Sequence, residues 1–179
     1  CTKYNMDMGL YLSPWDVNSP YYGDDVLYNE YYMHQLEEIL HSEGNKYGNN
    51  GKFVEVWMDG AKGEGQKAQN YWFLNWFDLI KKYQPDMVIF SSYGSEIRWV
   101  GNEAAKAGVP CWNKFNFSDQ RSCYDKKPDC YSQDSNHGDP NGPDYQIAEC
   151  DVSVTSGWFW KSGKVPKSGK EIASIYFTS

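Results

Sequence analysis

The sequence predicts an α/β fold in which strands alternate with helices, and three observations carry that prediction. Phe53-Val54-Glu55-Val56-Trp57-Met58-Asp59-Gly60 alternates apolar with polar or aromatic residues and runs into a Gly-rich turn, as a strand does. Ala68 to Tyr83 carries Trp72, Phe73, Trp76, Phe77 and Ile80 on one helical stripe. Met87-Val88-Ile89-Phe90-Ser91-Ser92 is an apolar run of buried-strand length. Successive strands joined through a helix are usually parallel neighbours.

The remaining elements follow in order. Met8 to Ser13 reads as a strand, with Met8, Leu10 and Leu12 toward helices and Tyr11, Ser13 and Trp15 toward the opposite face. Pro14 and Pro20 hold the next stretch out of helix. Asp24 or Asp25 caps a helix running to about Glu43, marked by Tyr28, Tyr32, Leu36 and Ile39-Leu40 at helical spacing. His34 and His41 lie on it as surface or packing residues. Gly44 to Gly51 is a polar surface loop. In the 53–60 strand Val54, Val56 and Met58 face the helices, and Glu55, Trp57 and Asp59 face the other way. Gly60 to Gly65 lacks a phosphate-loop pattern, and its glycines let a ligand approach the backbone. Pro85 ends the second helix. Ala104 to Lys106 reads as a short helical segment, and Pro110 to Asn116 as a short strand. Ile147 to Val154 is the last strand, with Glu149, Asp151 and Ser153 on one face and Cys150, Val152 and Val154 on the other. The chain ends in a helix from Lys170 to Phe177.

Two carboxylates stand where such a fold does chemistry. Asp59 is at the C-terminal end of its strand, the end that carries active sites in α/β barrels. Glu103 lies on the loop after the next strand, in Arg98-Trp99-Val100-Gly101-Asn102-Glu103. Neighbouring strands could bring both to one pocket, and a pair of carboxylates flanking a glycosidic bond hydrolyses it. Trp57, two residues before Asp59, adds a flat apolar wall suited to a sugar.

Composition agrees. Aromatics make up 17% of the chain, with eight Trp and fifteen Tyr, and sugars present apolar C–H faces to such rings. A net charge of −7 with scattered Lys and Arg argues against a nucleic-acid partner. No apolar stretch of about 18 residues suggests a membrane span.

Five blocks occur in one order: Gly9-Leu10-Tyr11-Leu12-Ser13-Pro14-Trp15-Asp16, Val56-Trp57-Met58-Asp59-Gly60-Ala61, Arg98 to Glu103, Glu149-Cys150-Asp151-Val152-Ser153-Val154, and Gly157-Trp158-Phe159-Trp160. They resemble the α-L-fucosidases of glycoside hydrolase family 29, in particular the branch acting on α-1,3/1,4-linked fucose. The resemblance runs from near Gly9 to Ser179. It implies a partial (β/α)8 barrel, about strands three to six with their helices. A complete barrel needs about 250 residues, and 179 are present. Residues 1–179 are therefore expected to be a fragment of one catalytic domain. The paired histidines with which the family grips fucose have no counterpart here, where the histidines are His34, His41 and His137.

The resemblance implies a retaining hydrolase without a cofactor. Asp59 would be the nucleophile and Glu103 the acid/base. Trp57 and Tyr11 would wall the fucose, and Trp15, Trp158 and Trp160 would line the rim or aglycone side. Raising the pKa of Glu103 would be opposed by Arg98 if both faced the same way, which the sequence leaves open. The expected partner is a fucosylated oligosaccharide or glycoprotein glycan, without nucleic acid or membrane. The alternative is a non-catalytic carbohydrate-binding fragment or pseudoenzyme, keeping the aromatic half of the pocket and lacking turnover.

The cysteines are Cys1, Cys111, Cys123, Cys130 and Cys150, with no C-x-x-C pair to suggest zinc. Cys123 with Cys130 could close a short disulfide, Cys111 with Cys150 is a second pairing, and all could remain thiols. Asn116-Phe117-Ser118 is a glycosylation sequon. Cysteines, sequon and family together predict an extracellular protein of the apoplast, cell wall or equivalent. Asp119 to Asp144 is long and polar and reads as a loop over a pocket. Asp134 to Gly142 loosely suggests a calcium loop but lacks the EF-hand spacing, and no metal is expected.

Overall fold

The computed structural model describes residues 1–41, 52–59, 68–91, 96–100, 107–115 and 134–178. These fall into two compact units, Cys1–Glu96 and, further along, Ile97–Phe117 with Ser132–Ser179. The predicted features at Gly44–Gly51, Gly60–Gly65, Gly101–Lys106 (with Glu103), Asn116, Cys123 and Cys130 lie outside the described residues.

The first unit opens with a short 3-10 turn, Thr2–Tyr4, and continues with β1 (Gly9–Tyr11), α1 (Asp25–Leu40), β2 (Glu55–Met58), α2 (Phe73–Tyr83) and β3 (Val88–Ser91). The three strands are parallel, with Tyr11 opposite Trp57 and Trp57 opposite Phe90. Asp24 caps α1 as predicted, its carboxylate accepting from the N–H groups of Val26 and Leu27. Tyr28, Tyr32, Leu36 and Leu40 form the buried stripe of α1, and Phe73, Trp76 and Ile80 that of α2. The Tyr32 and Trp76 rings meet at 4.2 Å. Burying each such side chain contributes about 1.5–3 kcal/mol. Two α1 tyrosines also hold the chain that follows β1: Tyr32 O–H donates to Leu12 O at 2.7 Å and Tyr28 O–H to Pro14 O.

The second helix starts at Phe73, five residues later than its apolar stripe predicts. Side chains of α1 take the backbone donors that would open the helix earlier. Asp25 accepts from Asn70 N–H at 2.9 Å, and the buried Asn29 accepts from Trp72 N–H at 2.7 Å. After β3 the chain turns back through Glu96, whose carboxylate accepts from Ile89 N–H at 2.9 Å and from Lys81 Nζ at 2.8 Å.

The second unit holds β4 (Ile97–Trp99), β5 (Lys114–Phe115), β6 (Asp144–Tyr145), β7 (Ile147–Glu149) and α3 (Gly169–Thr178). β4 and β7 are parallel, with Arg98 opposite Ala148 and Trp99 opposite Glu149. The short strand predicted at Pro110–Asn116 is β5, and it pairs antiparallel with β6. β7 is shorter than predicted, ending at Glu149. Beyond it the backbone turns: Ser153 Oγ lies 2.7 Å from the carbonyls of both Thr155 and Gly157, and Lys167 N–H donates to Val154 O at 2.8 Å. A capping box opens α3, Ser168 N–H donating to Glu171 Oε2 at 2.7 Å and Glu171 N–H returning to Ser168 Oγ at 3.3 Å. Parallel strands with returning helices make the predicted partial (β/α)8 architecture.

Among the described residues no helix is long and apolar enough to cross a membrane. None of their His, Cys, Asp and Glu side chains gather in threes to hold a metal. Asp134, in the segment loosely suggestive of a calcium loop, instead accepts from the N–H groups of Asn136 and His137 and from the His137 ring.

Candidate active site

The face of β2 predicted to carry chemistry does carry a built arrangement. Val56 and Met58 are fully buried, and Glu55, Trp57 and Asp59 lie on the other face. Tyr11 of β1, Trp57 of β2 and Phe90 of β3 are in register, and their rings stack across the three strands. Trp57 lies 4.2 Å from Phe90 with the planes 10° apart, and 5.3 Å from Tyr11 at 19°. Burial grades along the stack: Phe90 is 0% exposed and Tyr11 59%. The ladder is therefore anchored at one end and open at the other.

Asp59 meets the open end. Tyr11 O–H donates to Asp59 Oδ2 at 2.7 Å, a charge-assisted bond. Burial, then the bond to Asp59 and its negative charge, push the Tyr11 phenol up to about 12. Tyr11 is thus a firm donor at neutral pH. It fixes one carboxylate oxygen beside an aromatic wall at the C-terminal end of a parallel strand.

The structure brings together Asp59, Trp57 and Tyr11, which the sequence singles out, and adds Phe90, which it does not. The signal was the parallel register, since Phe90 ends an apolar run, Met87 to Phe90, that has no alternation to mark its face. Trp15 is half-buried and packs against the aromatic core of this unit, with its indole N–H buried and without an acceptor among the described residues. Glu103 lies outside the described residues.

In the second unit Trp158 and Trp160 stand on the turn after β7 as predicted, 43% and 83% exposed, with Phe159 between them at 80%. Lys164 Nζ ties this turn by donating to Phe159 O at 3.0 Å and to Ser156 O. Trp99 Nε1 donates to Asp151 Oδ1 at 2.8 Å, which places Asp151 on the Trp99 face. Arg98 alternates to the opposite face. Its guanidinium is fully buried, 5.2 Å from the Phe115 ring centre, and donates to Trp112 O at 3.0 Å. Gly138 (φ +72°) makes room there, because a Cβ would stand 2.2 Å from Trp112 O.

The candidate site is thus a carboxylate at the C-terminal end of a parallel strand, bonded by a tyrosine beside stacked rings. Known proteins supply the class. No protein-family model matches the chain. "Alpha-L-fucosidase 1" of Arabidopsis thaliana is 45% identical over 172 residues, 96% of this chain and 32% of that protein. The crystal structure of SpGH29 superposes with a TM-score of 0.84 at 47% identity, over 99% of this chain and 38% of that one. A Ruminococcus gnavus GH29 fucosidase in complex with fucose gives 0.80 at 40%, over 100% and 39%. The chain belongs to glycoside hydrolase family 29, the α-L-fucosidases, and spans about a third of the length of the relatives it matches.

Proposed function

We propose that the protein is a retaining exo-glycosidase that releases terminal α-L-fucose, α-1,3/1,4-linked, from oligosaccharides or glycoprotein glycans. Asp59 attacks the anomeric carbon and forms a fucosyl ester. Glu103 protonates the departing glycosidic oxygen, then takes a proton from the water that hydrolyses the ester. The observation that carries this reading is the Asp59 carboxylate held at 2.7 Å by Tyr11 beside the Trp57 ring. The bond orients the Asp59 carboxylate, as a nucleophile must be oriented. Tyr11, exposed, and the edge of Trp57, whose two faces are stacked on Tyr11 and Phe90, offer apolar surface to the side and methyl group of fucose. Trp158 and Trp160, exposed on their turn, suit an aglycone sugar. Residues 1–179 are then part of one catalytic domain, and the parent protein is secreted to the apoplast, cell wall or an equivalent space. Family membership and the match to a fucose-bound relative support the substrate class.

The test is hydrolysis of a chromogenic α-L-fucoside and of a Lewis-type trisaccharide by the chain and its Asp59→Ala variant. Release of fucose that disappears in the variant supports the assignment. A folded chain that binds the trisaccharide without turnover overturns it in favour of a carbohydrate-binding piece.

A further inference from the structure

We propose that Cys111 and Cys150 are a redox pair, joined into a disulfide by exchange with a low-molecular-weight disulfide. Strand register carries the argument. Arg98 pairs with Ala148 and Trp99 with Glu149, and the pairing continues with Val100 N–H donating to Glu149 O at 2.9 Å. Trp99 bonds Asp151, so Asp151 shares the Trp99 face, and by alternation Cys150 shares the Arg98 face. On that face Arg98 Nη2 lies 3.7 Å from Cys111 Sγ. The β4–β7 pair thus carries both sulfurs on one side. Each is a partly buried free thiol.

The surroundings hold the pair in place. Trp112 N–H donates to His137 O at 2.7 Å and Gln146 N–H to Asn113 O at 2.8 Å, fixing the backbone beside Cys111. Among the described residues Arg98 Nε and Nη1 are buried without a hydrogen-bond partner, and Nη2 donates to Trp112 O and toward Cys111 Sγ. Burial, then the charges of Asp151 and Cys111, push the Cys150 thiol up. The glycosidase chemistry proposed above uses neither.

The exchange balances in two steps. One protein thiolate attacks a sulfur of the small disulfide and expels a small thiolate, leaving a mixed disulfide. The other protein thiolate attacks the protein sulfur of that intermediate and expels the second small thiolate. Two protein thiols are oxidised, the small disulfide is reduced to two thiols, and the two protons pass to them. The product closes a loop of about 40 residues, which restricts the unfolded chain.

The native chain is incubated with glutathione disulfide, quenched in acid, alkylated and cut with chymotrypsin. Cleavage after Tyr131 and Tyr145 separates Cys130 from Cys150. The expected result is a Cys111–Cys150 linked peptide about tenfold more abundant than in a sample unfolded in urea before oxidation. Oxidation also raises the melting midpoint by several degrees, and leaves the Cys150→Ser variant unchanged. If Cys111 and Cys150 stay open to alkylation in the native chain, or the link is no more frequent than in urea, the proposal fails. The peptide map of the unsubstituted chain decides this even where Cys150→Ser does not fold.

Discussion

Replacing Asp59 by Asn isolates what the carboxylate does to Tyr11. The amide keeps an acceptor oxygen and removes the charge. A hydrogen bond to a charged acceptor is worth about 1.5–3 kcal/mol and a neutral one about 1. Tyr11 is 59% exposed, so solvent screening keeps the difference toward its lower end, about 1 kcal/mol. At about 1.4 kcal/mol per pH unit, the phenol should fall by roughly three-quarters of a unit from its value of about 12. It should not return to 10, because burial is the largest cause of the rise and the substitution leaves it in place. The stability consequence has a definite sign. Between pH 10 and about 12 the unfolded phenol loses its proton while the folded one keeps it, so stability falls as pH rises through that window. The assay is carbon NMR of Cζ-labelled tyrosine, with the Tyr11 signal assigned by its loss in Tyr11→Phe. A Tyr11 signal that titrates near 10 in the unsubstituted chain, or does not move in Asp59→Asn, would refute the clamp.

Two further predictions concern the scaffold. Phe90→Ala removes the buried anchor of the ring stack and should cost about 3–5 kcal/mol in urea denaturation, with fluorescence of Trp57 reporting the loss of its neighbour. An unchanged midpoint would mean the stack is not supported from β3. Asn29→Ala strips an acceptor from Trp72 N–H and donors from the carbonyls of Asp25 and Asn70. It should cost about 2–3 kcal/mol, while Asn29→Asp, which keeps the acceptor, should recover part of the loss in the same denaturation experiment.

How much of this was legible in the sequence depends on whether a local pattern or a distant partner decides the outcome. The alternation through Glu55, Trp57 and Asp59 is local, and the structure keeps it. The cap at Asp24 and the stripe of Tyr28, Tyr32, Leu36 and Leu40 are local too. The start of α2 is not, since donors at Asn70 and Trp72 are taken by α1 side chains far back in the chain, and tertiary context overrides propensity. The β5–β6 pair was half-seen for the same reason. Two-residue strands carry almost no periodic signal, and the partners of Lys114 and Phe115, Tyr145 and Asp144, lie far along the chain. The face of Arg98 was open until the Trp99–Asp151 bond fixed it.

The ring stack explains why the scaffold and the candidate chemistry can be separated by mutation. Its buried end, Phe90, stacks on Trp57, so changing it should act on stability. Its open end, Tyr11, touches both Trp57 and Asp59, and it is also tied through the adjoining residue, whose carbonyl takes the Tyr32 hydroxyl. A phenylalanine at position 11 keeps the stacking face and loses only the donor. The pair Phe90→Ala and Tyr11→Phe should therefore split cleanly: the first moves the denaturation midpoint, and the second moves fucoside hydrolysis at nearly constant stability. If Tyr11→Phe instead lowered the midpoint as far as Phe90→Ala does, the hydroxyl would be holding the strand end together, and the orientation of Asp59 would be a by-product of that role.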